Sequence, residues 1–106
     1  MKPELSKTFD QRCHDLLLQI PKGKVTTYRE IAHALGTKAY RAVGQAMNRN
    51  PNLMKVPCHR VIKTNGEVGG YAGGLSRKIE LLRQEGVDVT ESGRIDLSKF
   101  LYSFSD

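Results

Sequence analysis

Two short helical patterns separated by a single glycine constrain the fold of this chain more than any other feature. Thr27-x-x-Glu30 has the residues of a capping box, which predicts a helix start, and Gly36 predicts the end of that helix. Thr37 is a second capping residue, and the helix that it predicts covers about residues 38–48. Two helices joined this closely are typical of a helix-turn-helix, whose second helix commonly contacts DNA.

The second of these helices carries small side chains on more than one face. They are Ala39, Ala42, Val43, Gly44 and Ala46. Gly44 lies inside the predicted helix, where a glycine costs about 1 kcal/mol relative to alanine. Small side chains let a backbone approach another surface closely. The helix is therefore expected to pack tightly against the first helix, to lie against DNA, or to do both with its two faces.

Helix signals also occur near both ends of the chain. Ser6 is expected to cap a first helix, which has an apolar face at helical spacing and stops before Pro21. The residues of that face are Phe9, Cys13, Leu16, Leu17 and Ile20. Ser76 is expected to cap the last main helix, and Gly86 to stop it.

Two glycine-containing turns predict short strands. Asn65-Gly66 is a hairpin signal, so residues 61–62 are expected to pair with residues 67–68. Ser92-Gly93 is a weaker signal of the same kind. Together the elements predict a mainly α fold: a winged-helix-like helix-turn-helix domain with short β-hairpins, in which residues 1–106 form a single domain.

The charge of the chain is unevenly distributed around a formal net charge of +6. Residues 16–66 contain nine Lys and Arg but one acidic residue, Glu30, whereas residues 79–106 contain three basic and six acidic residues. A basic segment of this kind favours a polyanionic partner, above all nucleic acid. Neither a signal peptide nor an apolar run of roughly 20 residues occurs, so the protein is expected inside the cell, in the cytoplasm with the nucleoid or in the nucleus, without membrane contact.

Cys58 and His59 are adjacent, between Pro57 and Arg60, and form the candidate reactive pair of the chain. A thiol is a strong nucleophile as its thiolate, and a nearby imidazole or positive charge lowers its pKa. The alternative is a buried, inert cysteine, and Cys13 on the apolar face of the first helix is expected to be one. Neither cysteine has the spacing of a zinc ligand, so no metal is expected.

Six motifs occur in order along the chain. They are Pro21-x-Gly23-x-Val25-x-x-Tyr28, Arg41-Ala42-Val43-Gly44, Asn50-Pro51, Pro57-Cys58-His59-Arg60-Val61, Gly69-x-Tyr71-x-Gly73-Gly74-Leu75 and Leu81-Leu82-x-x-Glu85-Gly86. In these motifs the chain resembles the C-terminal domain of the O6-alkylguanine-DNA alkyltransferases, also called methylated-DNA–protein-cysteine methyltransferases. The resemblance covers residues 9–86 and leaves out the N-terminal domain that most members carry.

The resemblance implies a role for each catalytic candidate. Cys58 accepts the alkyl group, His59 acts as its base through a water, and Glu85 orients His59. Asn50 holds the turn between the recognition helix and the acceptor segment, and Tyr28 donates a proton toward the guanine O6. The thiolate attacks the alkyl carbon directly, so guanine is restored and the protein becomes a stable thioether. Each molecule then reacts once, and no cofactor is required.

The partner implied by the resemblance is double-stranded DNA that contains O6-alkylguanine, bound through its minor groove by a monomer. Arg41 takes the space of the extruded nucleotide, and the small residues Ala39, Ala42 and Gly44 let the helix approach the groove. The implied pocket for the flipped base consists of Tyr71, Gly73 and backbone groups at Cys58, Val61 and Ala72.

Two positions depart from the family pattern, and one rival function remains. Ala72 stands where many members have Ser, and Tyr40 where they often have a small residue. The rival is a non-enzymatic alkyltransferase-like protein, which binds O6-alkylguanine and recruits nucleotide excision repair. Such proteins are short and resemble this chain in its 93–97 segment, but they carry a residue other than Cys, commonly Trp, at the acceptor position. Because position 58 is Cys, transfer is the expected function and damage binding the alternative.

Overall fold

The structure is a computed structural model that describes residues 8–50, 55–71 and 73–104. Most of its elements are helices. Its elements are, in chain order, α1 (Phe9–Leu17), β1 (Thr26–Thr27), α2 (Tyr28–Ala34), α3 (Tyr40–Asn48), a 3-10 helix (Cys58–Arg60), β2 (Val61–Ile62), α4 (Leu75–Gln84) and α5 (Leu97–Phe100). The predicted mainly helical fold is confirmed. No helix in the described ranges is long and apolar enough to cross a membrane.

The first and last main helices begin at other residues than predicted. Thr8, not Ser6, caps α1: its hydroxyl accepts from the backbone N–H of Gln11 at 3.1 Å, and its own N–H donates to the Gln11 side chain at 3.0 Å. Ser6 lies outside the described residues. Gly74, not Ser76, precedes α4, because its φ of +100° redirects the chain into the helix two residues earlier.

The helix-turn-helix forms with one shift. Thr27 caps α2 as predicted, its hydroxyl accepting from the third helical N–H at 3.1 Å. Gly36 follows α2 with a φ of +73°, the left-handed conformation of a helix stop. Helix α3 starts at Tyr40 instead of residue 38, because the Thr37 hydroxyl binds the N–H of Ala39 and holds that residue outside the helix.

The two strands are parallel neighbours, with Thr26 opposite Val61 and Thr27 opposite Ile62. The predicted pairing of residues 61–62 with residues 67–68 is therefore wrong. Because β1 runs directly into α2 and β2 directly follows the 3-10 helix, this pairing places the Cys58 segment beside the helix-turn-helix.

The two glycine-containing turns do form, but the residues beside them pair with each other and not with residues 61–62. At the first turn, Gly66 N donates to Lys63 O and Lys63 N donates to Glu67 O, both at 2.9 Å. Glu67 then forms an antiparallel bridge with Arg94, which follows the second turn. The two turns thus pair with each other.

Two clusters of buried apolar side chains hold these elements together. The first joins α1, α2 and α3 to the 3-10 helix and β2, and its buried members include Cys13, Leu17, Ile31, Val43, Met47, Cys58 and Val61. The second lies around Ile62, Leu82 and Phe100. The predicted core position of Cys13 is confirmed, since the residue is fully buried and burial raises its pKa to about 11.

Candidate nucleophile site and basic cleft

Cys58 is the first residue of the 3-10 helix and only 4 % exposed. Burial raises the pKa of its thiol, whereas a hydrogen bond from Asn50 and the charge of Lys78 act in the opposite direction. Burial prevails, so the thiol keeps its proton at neutral pH. Nucleophilic attack from this position therefore requires a base.

A histidine–carboxylate pair lies directly beside this thiol in the chain. His59 Nε2 is 3.0 Å from Glu85 Oε2, and the His59 side chain is buried. Burial lowers the pKa of His59, which keeps the ring neutral at neutral pH. Since a carboxylate only accepts, Nε2 donates and Nδ1 is left as the basic nitrogen. His59 Nδ1 is buried without a hydrogen-bond partner among the described residues, so it is placed to receive a proton.

Arg60 fixes the carboxylate of Glu85. Its Nε donates to Oε1 at 2.9 Å, one terminal nitrogen donates to Oε2 at 2.7 Å, and the other donates to Ile20 O at 2.6 Å. Burial alone raises the pKa of Glu85, but the hydrogen bonds from Arg60 and His59 outweigh it and lower that pKa. Glu85 is therefore ionised and held in place by the guanidinium while it orients the imidazole.

Asn50 connects the end of α3 to the segment that contains Cys58. Its side-chain amide donates to Val56 O at 2.8 Å, and the residue is buried. The same side chain bonds to the Cys58 thiol and lowers its pKa. Asn50 thus holds the chain on both sides of residues 51–54, which lie outside the described residues.

Two tyrosines lie near enough to the thiol to be influenced by its charge. Burial raises the pKa of Tyr28, the first residue of α2, and Cys58 raises it further. Burial and Cys58 likewise raise the pKa of Tyr71, whose ring meets the His59 ring edge-on at 6.4 Å between centroids. Both phenols therefore stay protonated and can donate. Val61 is fully buried in β2 and Gly73 is exposed, whereas Ala72 lies outside the described residues.

Lys78 is a residue of the site that the sequence analysis missed. It is fully buried, and its ammonium donates to Val61 O at 2.6 Å and to Gly70 O at 3.0 Å. Burial lowers its pKa to about 8, and the charge of Cys58 opposes this shift. Its place between Leu75 and Leu82 on the apolar stripe of α4 was a usable signal, because a lysine in such a stripe needs internal partners.

The outward face of α3 forms one wall of an open cleft of about 820 Å³. Its lining is Tyr28, Arg29, Tyr40, Arg41, Gly44, Gln45, Asn48, Lys63, Thr64 and Gly70. A Cβ placed on Gly44 would meet nothing within 4 Å, so this glycine does not serve close packing inside the chain. Of the predicted DNA-contacting residues, Arg41 and Gly44 line the cleft, whereas Ala39 and Ala42 do not.

In the structure Asn50 bonds to the Cys58 thiol and the next residue, His59, bonds to Glu85. Cys58 also raises the pKa of Tyr28, which lines a cleft with three cations and no acid among its described residues. Among the residues that the structure describes, no three His, Cys, Asp or Glu side chains lie close enough together to bind a metal ion. The chemistry available here is a buried thiol, a neutral base and phenolic donors.

Comparison with known proteins agrees with this arrangement. Residues 8–87 match the family model "6-O-methylguanine DNA methyltransferase, DNA binding domain". A methylated-DNA–protein-cysteine methyltransferase of Saccharolobus solfataricus is 52 % identical over 75 residues, which are 71 % of this chain and 48 % of that protein. A bifunctional methyltransferase/endonuclease of Picrophilus torridus is 44 % identical over 94 residues, 88 % of this chain and 31 % of its own length. The chain therefore spans half or less of these relatives.

Solved structures show the same similarity. S. pombe Atl1, in complex with damaged DNA containing O6-carboxymethylguanine, has a TM-score of 0.80 and 32 % identity, covering 97 % of this chain and 99 % of Atl1. Mycobacterium tuberculosis OGT in complex with DNA has a TM-score of 0.72 and 47 % identity, covering 76 % of this chain and 50 % of OGT. On this match, the chain belongs to the 6-O-methylguanine DNA methyltransferase family of alkylguanine repair proteins.

Proposed function

We propose that this chain binds double-stranded DNA containing O6-alkylguanine and transfers the alkyl group, once per molecule, to Cys58. The observation that carries the proposal is the acceptor cysteine itself, buried beside a neutral histidine that a carboxylate orients. Nucleophile, base and orienting group in this order follow the usual logic of an activated thiol. The relatives named as methylated-DNA–protein-cysteine methyltransferases support it.

The proposed step consumes no cofactor. His59 takes the thiol proton, through a water, onto Nδ1 while Glu85 stabilises the imidazolium through Nε2. A bond forms between Sγ and the alkyl carbon as the bond between that carbon and guanine O6 breaks, and the electron pair passes to guanine. Tyr28 donates a proton toward O6, and the proton held by His59 replaces it. Guanine and a thioether are the products.

DNA is proposed to bind in the cleft along α3. Arg29, Arg41 and Lys63 are exposed there and supply charge for phosphates. Arg41 takes the place of the extruded nucleotide, and Gly44 leaves the helix surface open for close approach to the minor groove. The solved complexes of Atl1 and OGT with DNA support this assignment.

A second candidate is damage binding without transfer, followed by recruitment of excision repair. Its support is the similarity to Atl1 over nearly the full length of both chains. The presence of Cys58 with its histidine and carboxylate favours transfer, because a protein that only binds has no need of a base beside a thiol.

The two candidates differ in intact mass. The protein is mixed with duplex DNA containing O6-methylguanine, and a gain of one methylene equivalent is expected, located on Cys58. Cys58→Ala should show no gain, while Cys13→Ala, which removes the other thiol, should retain it. Binding of the duplex without any gain in mass would establish damage binding instead.

A further inference from the structure

Tyr40 is an exposed aromatic side chain on the lining of the cleft, and the proposed transfer step gives it no role. It is the first residue of α3 and is 42 % exposed. The large apolar side chains that are exposed in the described ranges are Leu18, Tyr40, Leu75 and Leu101, and of these Tyr40 alone lines the cleft. Among the described residues, neither cluster of apolar side chains includes it. Its ring is therefore available to a ligand in the cleft.

The surroundings of Tyr40 are those of a surface that binds nucleic acid. Arg41, the next residue, lines the same cleft, together with Arg29 and Lys63 and with no acid among the described lining residues. Gly44 lies one helical turn after Tyr40 and has no side chain that could cover the ring from that position. Cations for the phosphates and an aromatic ring for the bases are the combination with which proteins bind unpaired nucleotides.

Tyr40 and Arg41 reach different points of the same groove. Successive residues of an α-helix differ by about 100° in direction and about 1.5 Å along the axis. Both side chains nevertheless line the cleft, so DNA that lies along α3 meets them together. The ring and the guanidinium thus do not compete for one position on the DNA.

The extrusion of a nucleotide uncovers more base surface than one guanidinium fills. In the proposed function Arg41 takes the space of the extruded nucleotide. The bases on both sides of that gap and the unpaired base opposite it have all lost stacking contacts. We infer that Tyr40 is a second inserted residue: its ring stacks on one of the bases that extrusion uncovers and stabilises the opened duplex.

This inference rests on the DNA binding that the proposed function assigns to the cleft, and it adds a specificity-determining residue. It does not depend on transfer, because the stacking precedes any bond to Cys58. A stacking contact also differs from the contacts of Arg29 and Lys63, since it neutralises no phosphate and releases no counterion. Its contribution to affinity should therefore leave the salt dependence of binding unchanged.

Fluorescence tests the stacking directly. The chain contains no tryptophan, so Tyr40→Trp introduces a single indole at the proposed contact. The substitution is combined with Cys58→Ala, so that the complex with a duplex containing O6-methylguanine does not react. Stacking on a base quenches indole emission, and we expect emission to fall when the complex forms. Unquenched emission from a complex that anisotropy of the labelled duplex shows to be formed would overturn the inference.

The matched control for this measurement is Leu18→Trp in the same background. Leu18 is exposed at the end of α1 and does not line the cleft. The emission of this variant should stay unchanged when the same duplex binds. An equal fall in emission in both variants would overturn the inference, because the quenching would then not report a contact at Tyr40.

The affinities of two further variants give a second measurement. With Cys58→Ala as the parent, Tyr40→Ala should bind the O6-methylguanine duplex about tenfold more weakly, whereas Tyr40→Phe, which keeps the ring, should match the parent. The loss should be smaller on an undamaged duplex, and the salt slope should not change. An equal loss on both duplexes, or a reduced slope, would place the contact on the DNA backbone and overturn the inference.

The outcomes separate this inference from the proposed transfer. Quenching in Tyr40→Trp, together with no gain in mass of the wild type, would overturn transfer and leave the stacking contact standing. A gain in mass of the wild type, together with no quenching in Tyr40→Trp, would overturn the stacking contact and leave transfer standing.

Discussion

Glu85 determines the properties of two basic side chains at once, the buried His59 and the partly buried Arg60. One of its oxygens accepts from both His59 and Arg60, and the other accepts from Arg60. The guanidinium holds the carboxylate ionised, and the ionised carboxylate fixes the imidazole with Nε2 as the donor. The basicity of Nδ1, which faces the proposed proton transfer, therefore depends on an ion pair on the far side of the ring.

We expect Glu85→Gln to slow transfer to Cys58 by about 100-fold, because a neutral amide neither stabilises the imidazolium nor fixes the tautomer. It should also lower the free energy of unfolding by about 2 kcal/mol, since the partly buried Arg60 is left without its counter-charge. Single-turnover transfer and urea unfolding measure the two effects.

The matched control is Glu80→Gln in α4, the helix that ends just before Glu85, where the carboxylate is exposed and pairs with Arg77. This variant should change stability by no more than about 0.5 kcal/mol and leave methyl transfer unaltered. Equal effects of the two substitutions would show that Glu85 contributes no more than a surface charge.

The residues of the site were predictable to different degrees. Cys58 and His59 were candidates because they are adjacent in the sequence. Glu85 was assigned from a family resemblance, because it lies 25 positions after Arg60 and no local pattern joins the two. Lys78 went unassigned, since its role depends on carbonyls of Val61 and Gly70 that only the folded chain brings within reach. A residue whose partners are backbone groups far along the chain cannot be identified from the spacing of residue types in the sequence.

At the scale of elements, α3 shows why helix positions were predicted better than strand pairs. The signals that place it, the stop glycine Gly36 and the capping residue Thr37, are local, so the sequence analysis misplaced its start by two residues only. The pairing of β1 with β2 joins residues 35 positions apart, Thr26 and Val61, and each strand has two residues. Strands this short carry no alternation from which a partner could be inferred.

Gly44 offers a prediction about the outward face of α3. We expect Gly44→Ala to raise the free energy of unfolding by about 1 kcal/mol, because alanine favours the helix and its Cβ meets nothing within 4 Å. The affinity of Gly44→Ala for duplex DNA should nevertheless be lower than that of the wild type. The affinity of Gly44→Leu should be lower still, about tenfold below the wild type, because the larger side chain keeps the helix from approaching the groove. Thermal unfolding and fluorescence anisotropy measure these changes.

Ala34→Leu serves as the size control, because Ala34 is exposed at the end of α2 and does not line the cleft. It should leave DNA affinity unchanged. If Gly44→Leu also left it unchanged, the face of α3 that carries Gly44 would not be the surface that contacts DNA.

At the scale of the whole molecule, part of the basic segment of the sequence, residues 16–66, lines one cleft of the fold. Arg29, Arg41 and Lys63 come from separate parts of the basic segment, and the fold brings them to one cleft with no acidic residue on its described lining. Arg60 belongs to the same segment but is used internally, bound to Glu85 and Ile20. Composition therefore overstates the charge that is available to a polyanion.

This distinction sets the salt dependence of DNA binding. If the three cations of the cleft each neutralise one phosphate, the logarithm of the affinity falls with the logarithm of salt concentration with a slope of about −2.7. Affinity for an undamaged duplex should then drop about 40-fold between 50 and 200 mM salt.

Arg29→Gln should reduce the slope by about 0.9, while Arg12→Gln on α1, outside the cleft, should leave it unchanged. Titrations by anisotropy at four salt concentrations measure the slope. A slope of about −7, as expected if the net charge of +8 on residues 16–66 neutralised eight phosphates, would mean that the whole basic segment contacts DNA, and a slope near zero that the cleft does not bind it at all.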